Sequence, residues 1–172
     1  MRKYFLISLV TFAFICLGCT STYEYQTNNP TTTKLEKNKI VAIATSEDGF
    51  YGSDIYEGSG KILSMVVRQQ IKIYSSKVTI LENKIKIEDF SEKEIEEYDY
   101  IVIPEILHWE DRATAWSGLP ARISFSIQIY NNKKELLKST ILSGKSASMT
   151  LGSTDPGELI EEPLKVFLQS IY

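Results

Sequence analysis

The residues best equipped for chemistry crowd into one stretch, ILHWEDRATAWSGLPAR, residues 106–122. It holds the chain's single histidine, His108, both tryptophans, Trp109 and Trp116, and the triplet Glu110, Asp111 and Arg112. His108, Glu110 and Asp111 form a candidate polar cluster. If they converged in a cleft, they could serve a small-ligand binder or a hydrolase. Trp109, Arg112 and Trp116 suggest a different use, because tryptophan and arginine are enriched at binding hot spots. These three are candidate partner-binding residues, with Tyr51, Tyr56 and Ser59 of the preceding glycine-rich loop beside them. A structural reading stands next to both. A strand leaves the sheet, an Arg–acid pair holds the corner, and Trp116 to Pro120 turns the chain.

Other chemistries fail on spacing or supply. The run GFYGSDIYEGSGKIL invites comparison with a nucleotide loop, but Ile55 stands where a P-loop needs glycine, and Ile62 follows Lys61 where it needs Ser or Thr. Free amides at the helix start could hold an anion, or the glycines could simply permit a turn into a capped helix. No G-x-S-x-G elbow accompanies His108. A zinc site needs several His or Cys ligands, which this composition lacks. The formal net charge is −3 and no basic patch stands out, which argues against nucleic acid. No catalytic, metal or cofactor site is therefore assigned. The chain reads as a non-enzymatic binding or accessory module.

Short elements must position these residues. Residues 39–45 read as a first strand, and 46–60 as a long loop. Residues 61–74 read as a helix capped by Ser59, with a buried stripe of Ile62, Met65, Val66, Gln69 and Ile73, widened by Leu63 and Val67. Residues 78–81 make a second strand. Ser91 and Glu94 have capping-box spacing for a short helix near 91–97. A strand from Tyr100 to about Trp109 contains Pro104, which implies an edge or a bulge. Simple alternation along it puts Ile106, His108 and Glu110 on one face, and Leu107, Trp109 and Asp111 on the other. Residues 122–130 alternate cleanly, and a turn at 131–134, with asparagine tolerating positive φ, leads to a return strand at 136–143. Asp155 and Pro156 open a final helix, with a kink or restart at Pro163. The order β-α-β-(α)-β-β-β-α predicts an α/β (α+β) domain: a mixed, mainly antiparallel sheet with helices packed on it.

The N-terminus has its own logic. Arg2 and Lys3 precede an apolar run ending in Leu17-Gly18-Cys19. The run is too short to span a bilayer comfortably and has signal-peptide length. A small residue before a cysteine at that place resembles the lipobox of bacterial lipoproteins, although Cys16 stands where leucine is usual. The resemblance implies cleavage between Gly18 and Cys19, removal of residues 1–18, and acylation of Cys19 with palmitate-type chains. Thr20, in place of aspartate, implies the inner leaflet of the outer membrane, facing the periplasm. Residues 19–38 then read as the lipidated end and a flexible tether, and 39–172 as one globular domain. The motifs Asp48-Gly49-x-Tyr51, Tyr56-x-Gly58-Ser59-Gly60, Pro104 to Gly118 with its W-E-D-R-A-T core, and Asp155-Pro156-x-x-Leu159 together resemble a family of uncharacterised bacterial lipoproteins. Element order is similar to the lipoproteins of curli secretion and of penicillin-binding-protein activation. The resemblance implies a lipid-anchored periplasmic α/β domain without an assigned activity, and the binding module so read would have an envelope protein as partner. An oligomeric secretion role would need a long membrane-inserting hairpin, and the strand at 122–130 is too short for one.

Overall fold

In the computed structural model, the described residues are 20–29, 31–111, 119–147 and 155–172. Their architecture is a mixed α+β fold. Six strands form the main sheet: β1 Thr22–Asn28, β2 Val41–Ala44, β5 Val78–Leu81, β6 Tyr100–Glu110, β7 Arg122–Asn131 and β8 Leu136–Lys145. Their spatial order is β1-β8-β7-β6-β2-β5, and a separate hairpin pairs β3 (Phe50–Tyr51) with β4 (Asp54–Ile55). β2 lies parallel to both β5 and β6, while β6, β7, β8 and β1 form an antiparallel run. The helices are α1 Ser59–Ile71, the single turn α2 Glu92–Ile95, and α3 Glu161–Ile171.

Burial follows the pleat. All four residues of β2 are buried, as a strand covered on both faces requires. Val41 and Ile43 join the larger core with Leu63 and Val67 of α1, Leu164 and Phe167 of α3, and Ile123, Phe125 and Ile127 of β7. Ala42 and Ala44 join a smaller core on the other face, closed by Phe90 and Ile95. α1 therefore packs on one side of the sheet and the 84–98 segment on the other. Beyond that segment, the second face stays polar, with Ser124, Ser126 and Gln128 alternating with the buried isoleucines of β7.

Several local expectations hold for the stated reason. Ser91 Oγ accepts from the Glu94 amide at 3.3 Å, and the Glu94 carboxylate accepts from the Ser91 amide at 2.9 Å, closing the capping box. Asp155 accepts from the Gly157 amide at 2.6 Å and opens a 3-10 turn, Pro156–Leu159. The chain then restarts as α3, which places Pro163 in the first helical turn, where its missing N–H costs little.

Other expectations are corrected. Residues 22–28 are not tether: β1 pairs along its whole length with β8, from Thr22↔Lys145 to Asn28↔Ser139. The following segment is also fastened. Leu35 is buried and its amide donates to the Ile171 carbonyl at 2.8 Å, and Lys34 donates to the Ser170 carbonyl at 2.6 Å. The first helix covers 59–71 rather than 61–74, and its buried face carries Leu63, Val67 and Ile71 with the small or polar Gly60, Ser64 and Gln70. Ile62, Met65 and Ile73 are exposed. In the β7–β8 turn the positive φ falls on Lys134, while the Asn131 side chain accepts the amides of Lys133 and Glu135.

Candidate functional site

The C-terminal end of β6 is shaped by a β-bulge. The register with β7 runs Ile106↔Phe125 and then His108↔Ser124, so Leu107 is the extra residue. The bulge shifts the alternation by one. Ile106 and Trp109 now share the helix-covered face with Phe125 and Ile123, while His108 and Glu110 lie on the opposite face. Simple alternation had separated Ile106 from Trp109, and the extra residue is the reason it fails.

Trp109 is 3 % exposed. A Cβ on Gly49 would stand 2.6 Å from Trp109 Cβ and 2.9 Å from Ile106 Cγ2. The indole reaches the 3-10 turn on its far side, where a Cβ on Gly157 would lie 3.7 Å from Cη2. Trp109 is thus wedged between two loops and presents almost no surface to a partner.

The glycine-rich loop folds around α1 by long-range capping. Asp48 accepts from the Gly58 amide at 3.0 Å and from the Gly60 amide at 2.8 Å. Ser59 does not cap its own helix. It is buried, and its hydroxyl accepts the Gly49 amide at 2.8 Å. Gly58, at φ 86, is the residue before the helix. Gly60 has no room for a side chain, since a Cβ would meet the Ser46 carbonyl at 2.2 Å. The Asp48 carboxylate therefore occupies the amides that an anion would have used. Tyr56 packs against the main core, and its amide donates to the Gly49 carbonyl at 2.9 Å.

Of the polar cluster, His108 and Glu110 come together. His108 Nε2 lies 3.0 Å from Glu110 Oε2, and the Tyr51 ring meets the imidazole edge-on at 5.6 Å. Glu110 is 2 % exposed, whereas the His108 side chain is 38 % exposed. His108 faces a shallow groove of about 420 Å³ with Glu24, Arg122, Ser124 and Lys145, which neither Glu110 nor Asp111 lines. Asp111 is exposed, and partial desolvation followed by the charge of Asp155 raises its carboxyl above the ordinary value. The three acid–base candidates therefore do not converge on one cavity. Gly18, Cys19, Arg112 and Trp116 lie outside the described residues. Among the described residues, no group of three or more His, Cys, Asp or Glu side chains is placed to hold a metal ion. No described helix is long and apolar enough to cross a membrane.

The sheet carries a second concavity. Beyond Ala44, β2 stops while β6 continues, and the sheet opens into a cleft of about 410 Å³ bordered by Glu47, Phe50, Ile85, Ile103, Glu105 and Gln128. Its signal lies in the strand order, with β5 and β6 on opposite sides of β2.

Comparison with known proteins gives a family and a fold. No curated protein matches the chain. Among solved structures, the chain is similar to the PelC dodecamer from Paraburkholderia phytofirmans, at TM-score 0.63 and 9% identity over 88% of this chain and 96% of that one, and to a single-substitution variant of the same PelC, at TM-score 0.62 and 8% identity over 87% and 97%. At such identity the likeness is one of fold. Residues 33–171 match the domain of unknown function DUF4823, and the chain belongs to that family.

Proposed function

Taking this member of the DUF4823 family as our premise, we propose that it is a lipid-anchored cell-envelope protein whose domain is a non-enzymatic binding or accessory module. In this reading, acyl chains on Cys19 fasten it to the inner leaflet of the outer membrane, facing the periplasm. More than one chain is needed for stable anchoring, at about 0.8 kcal/mol per buried methylene.

One observation carries the geometry of this reading: β1 begins at Thr22, three residues after Cys19, and is paired to β8 from its first residue. Three residues reach at most about 10 Å. A lipid at Cys19 would hold one end of the sheet close to the bilayer rather than leave the domain on a long tether. The row Thr22, Lys145, Arg122 and Glu110 crosses the sheet at that end, and the β6–β7 connection starts and finishes there. Arg112 and Trp116 fall in that connection by sequence.

The test is metabolic labelling with palmitate together with mass spectrometry of the N-terminus. Wild type should carry label, start at Cys19 and fractionate with membranes, and Cys19→Ser should lose all three properties. An unlabelled chain with an intact leader ends the proposal. In-cell crosslinking from position 116 then identifies the partner.

A second reading, self-assembly, is supported by the outer edge of β1, which pairs with no other strand among the described residues. The seven-residue strand ends the sheet and is almost wholly exposed, which is a template for adding another chain. PelC, similar in fold, is a dodecamer. Sedimentation velocity tests this reading: a ring sediments far ahead of a single chain.

A further inference from the structure

We propose that the cleft between β2 and β6 is a binding site for a small organic cation with an apolar body. The argument begins with topology. From β2 the chain crosses by α1 on one face to β5, then returns by the 84–98 segment on the other face to β6, on the far side of β2. The strand order reverses between β2 and β6. In open α/β sheets, the crevice beyond the carboxyl ends of the strands at such a reversal is where ligands bind.

The backbone makes the crevice here. β2 pairs with β6 only from Val41↔Tyr100 to Ile43↔Val102, and β6 then runs on with β7 to Glu110. Pro104 has no N–H to offer across the gap, and the Ile106 amide is taken by Ser46 Oγ at 3.3 Å. An added peptide strand would find few partners on this edge. A compact molecule would find a cavity of about 410 Å³, within the usual range of roughly 300–1,000 Å³ for small-molecule sites.

The lining selects the ligand's chemistry. Phe50 on the β3–β4 hairpin is 65 % exposed and Ile85 is 37 % exposed, and both border the cleft, with Ile103 also lining it. These side chains offer an apolar body a place to bind. Glu47, Glu88 and Glu105 also line it, against a single cation, Lys86. Asp48 is committed to the amides of Gly58 and Gly60 and is not counted. Glu105 uses one oxygen for the Ser126 hydroxyl at 3.3 Å, and Gln128 Oε1 accepts the Tyr130 hydroxyl. Carboxylate acceptors thus outnumber cationic donors, and an anion would meet like charge. An ammonium on an aromatic or aliphatic body meets complementary charge and can lie against the Phe50 ring. Neither His108, Glu110 nor Thr22 lines this cleft.

The experiment is a backbone-amide NMR titration of the full chain in detergent with benzylamine, benzoate being the matched anion. Benzylamine should give saturable shifts confined to Glu47–Phe50, Ile85–Glu88, Ile103–Ile106 and Gln128, and benzoate none there. Phe50 and Glu105 are exposed, so Phe50→Ala and Glu105→Gln should keep the fold. Each should weaken benzylamine about three- to fivefold. Equal binding of benzoate overturns the proposal. So do benzylamine shifts that centre on His108 and Glu24, shifts that never saturate, or full affinity in both variants.

Discussion

Replacing Asp48 by alanine removes the two hydrogen bonds that cap α1 from ten and twelve residues away, and the cost can be worked from their surroundings. The bond to the Gly58 amide is exposed, so water can replace the carboxylate there at about 0.5 kcal/mol. The bond to the Gly60 amide is partly buried at 2.8 Å, against a backbone contact too tight to admit even a methyl group. Water cannot take that place cheaply, and the stranded N–H should cost about 1–2 kcal/mol. The sum, about 2 kcal/mol, should lower the melting temperature of a domain this size by about 6–10 °C. Asp48→Asn keeps one acceptor oxygen and should fall between wild type and alanine. Urea unfolding followed by circular dichroism measures both. The slope of free energy against denaturant should be unchanged, because the unfolded surface is the same. The reasoning places Asp48, Gly49, Ser59 and Gly60 among the residues that build the loop. An Asp48→Ala chain as stable as wild type that nevertheless lost its crosslinked partner would refute it and return the glycine motifs to recognition.

Gly60→Ala should be more damaging than any capping change, since its Cβ meets a backbone carbonyl at 2.2 Å. We expect a loss above about 3 kcal/mol or no soluble protein, against about 1–2 kcal/mol for Gly52→Ala, which has open space and only a φ of +63 to overcome. Trp109→Ala removes a nearly fully buried indole and should cost about 3–5 kcal/mol, a large part of the total stability of a small domain. A Trp109→Ala chain as stable as wild type would restore that residue to the partner surface. Glu94 gives a pH signature. Hydrogen bonds from the Ser91 hydroxyl and amide, then from Lys84, lower its carboxyl from 4.5 to about 2. A depressed carboxyl stabilises the fold above its unfolded value, and that stability is lost as pH falls from about 4.5 towards 2. In Glu94→Gln, the fall in melting temperature across that window should be shallower than in wild type.

The parts of this fold that could be read from residues alone are those decided within one turn or one strand. Ile123, Phe125, Ile127 and Ile129 alternate with polar residues, and β7 buries that face. Ser91 with Glu94, and Asp155 with Pro156, announce helix starts through contacts two or three residues long. Most of the failures share a cause: they were settled by contacts distant in sequence. α1 is apolar nearly all round, at Ile62, Leu63, Met65, Val66 and Val67, so hydrophobicity cannot choose its inner face. The choice falls to Gly60 and Ser64, whose small size lets the helix approach the backbone at Ser46. Periodicity gives no hint that Asp48 caps this helix. The candidate site suffered most, because one extra residue at Leu107 exchanges the faces of everything before and after it.

The N-terminal segment shows the same physics from the other side. TYEYQTN is rich in β-formers, yet it holds few residues that a core would bury, and its composition alone suits a linker. What orders it is β8. Its edge would otherwise leave backbone groups unpaired, and it offers Thr140 to Thr27 across the ladder at 3.3 Å. Tyr23 adds contact with the main core. An edge strand of this kind is held by ladder hydrogen bonds more than by burial, so it adds little to core stability and much to orientation. Those bonds fix where the chain leaves the domain at Thr22. Whatever Cys19 carries, the first strand turns a point of attachment into a defined direction for the sheet.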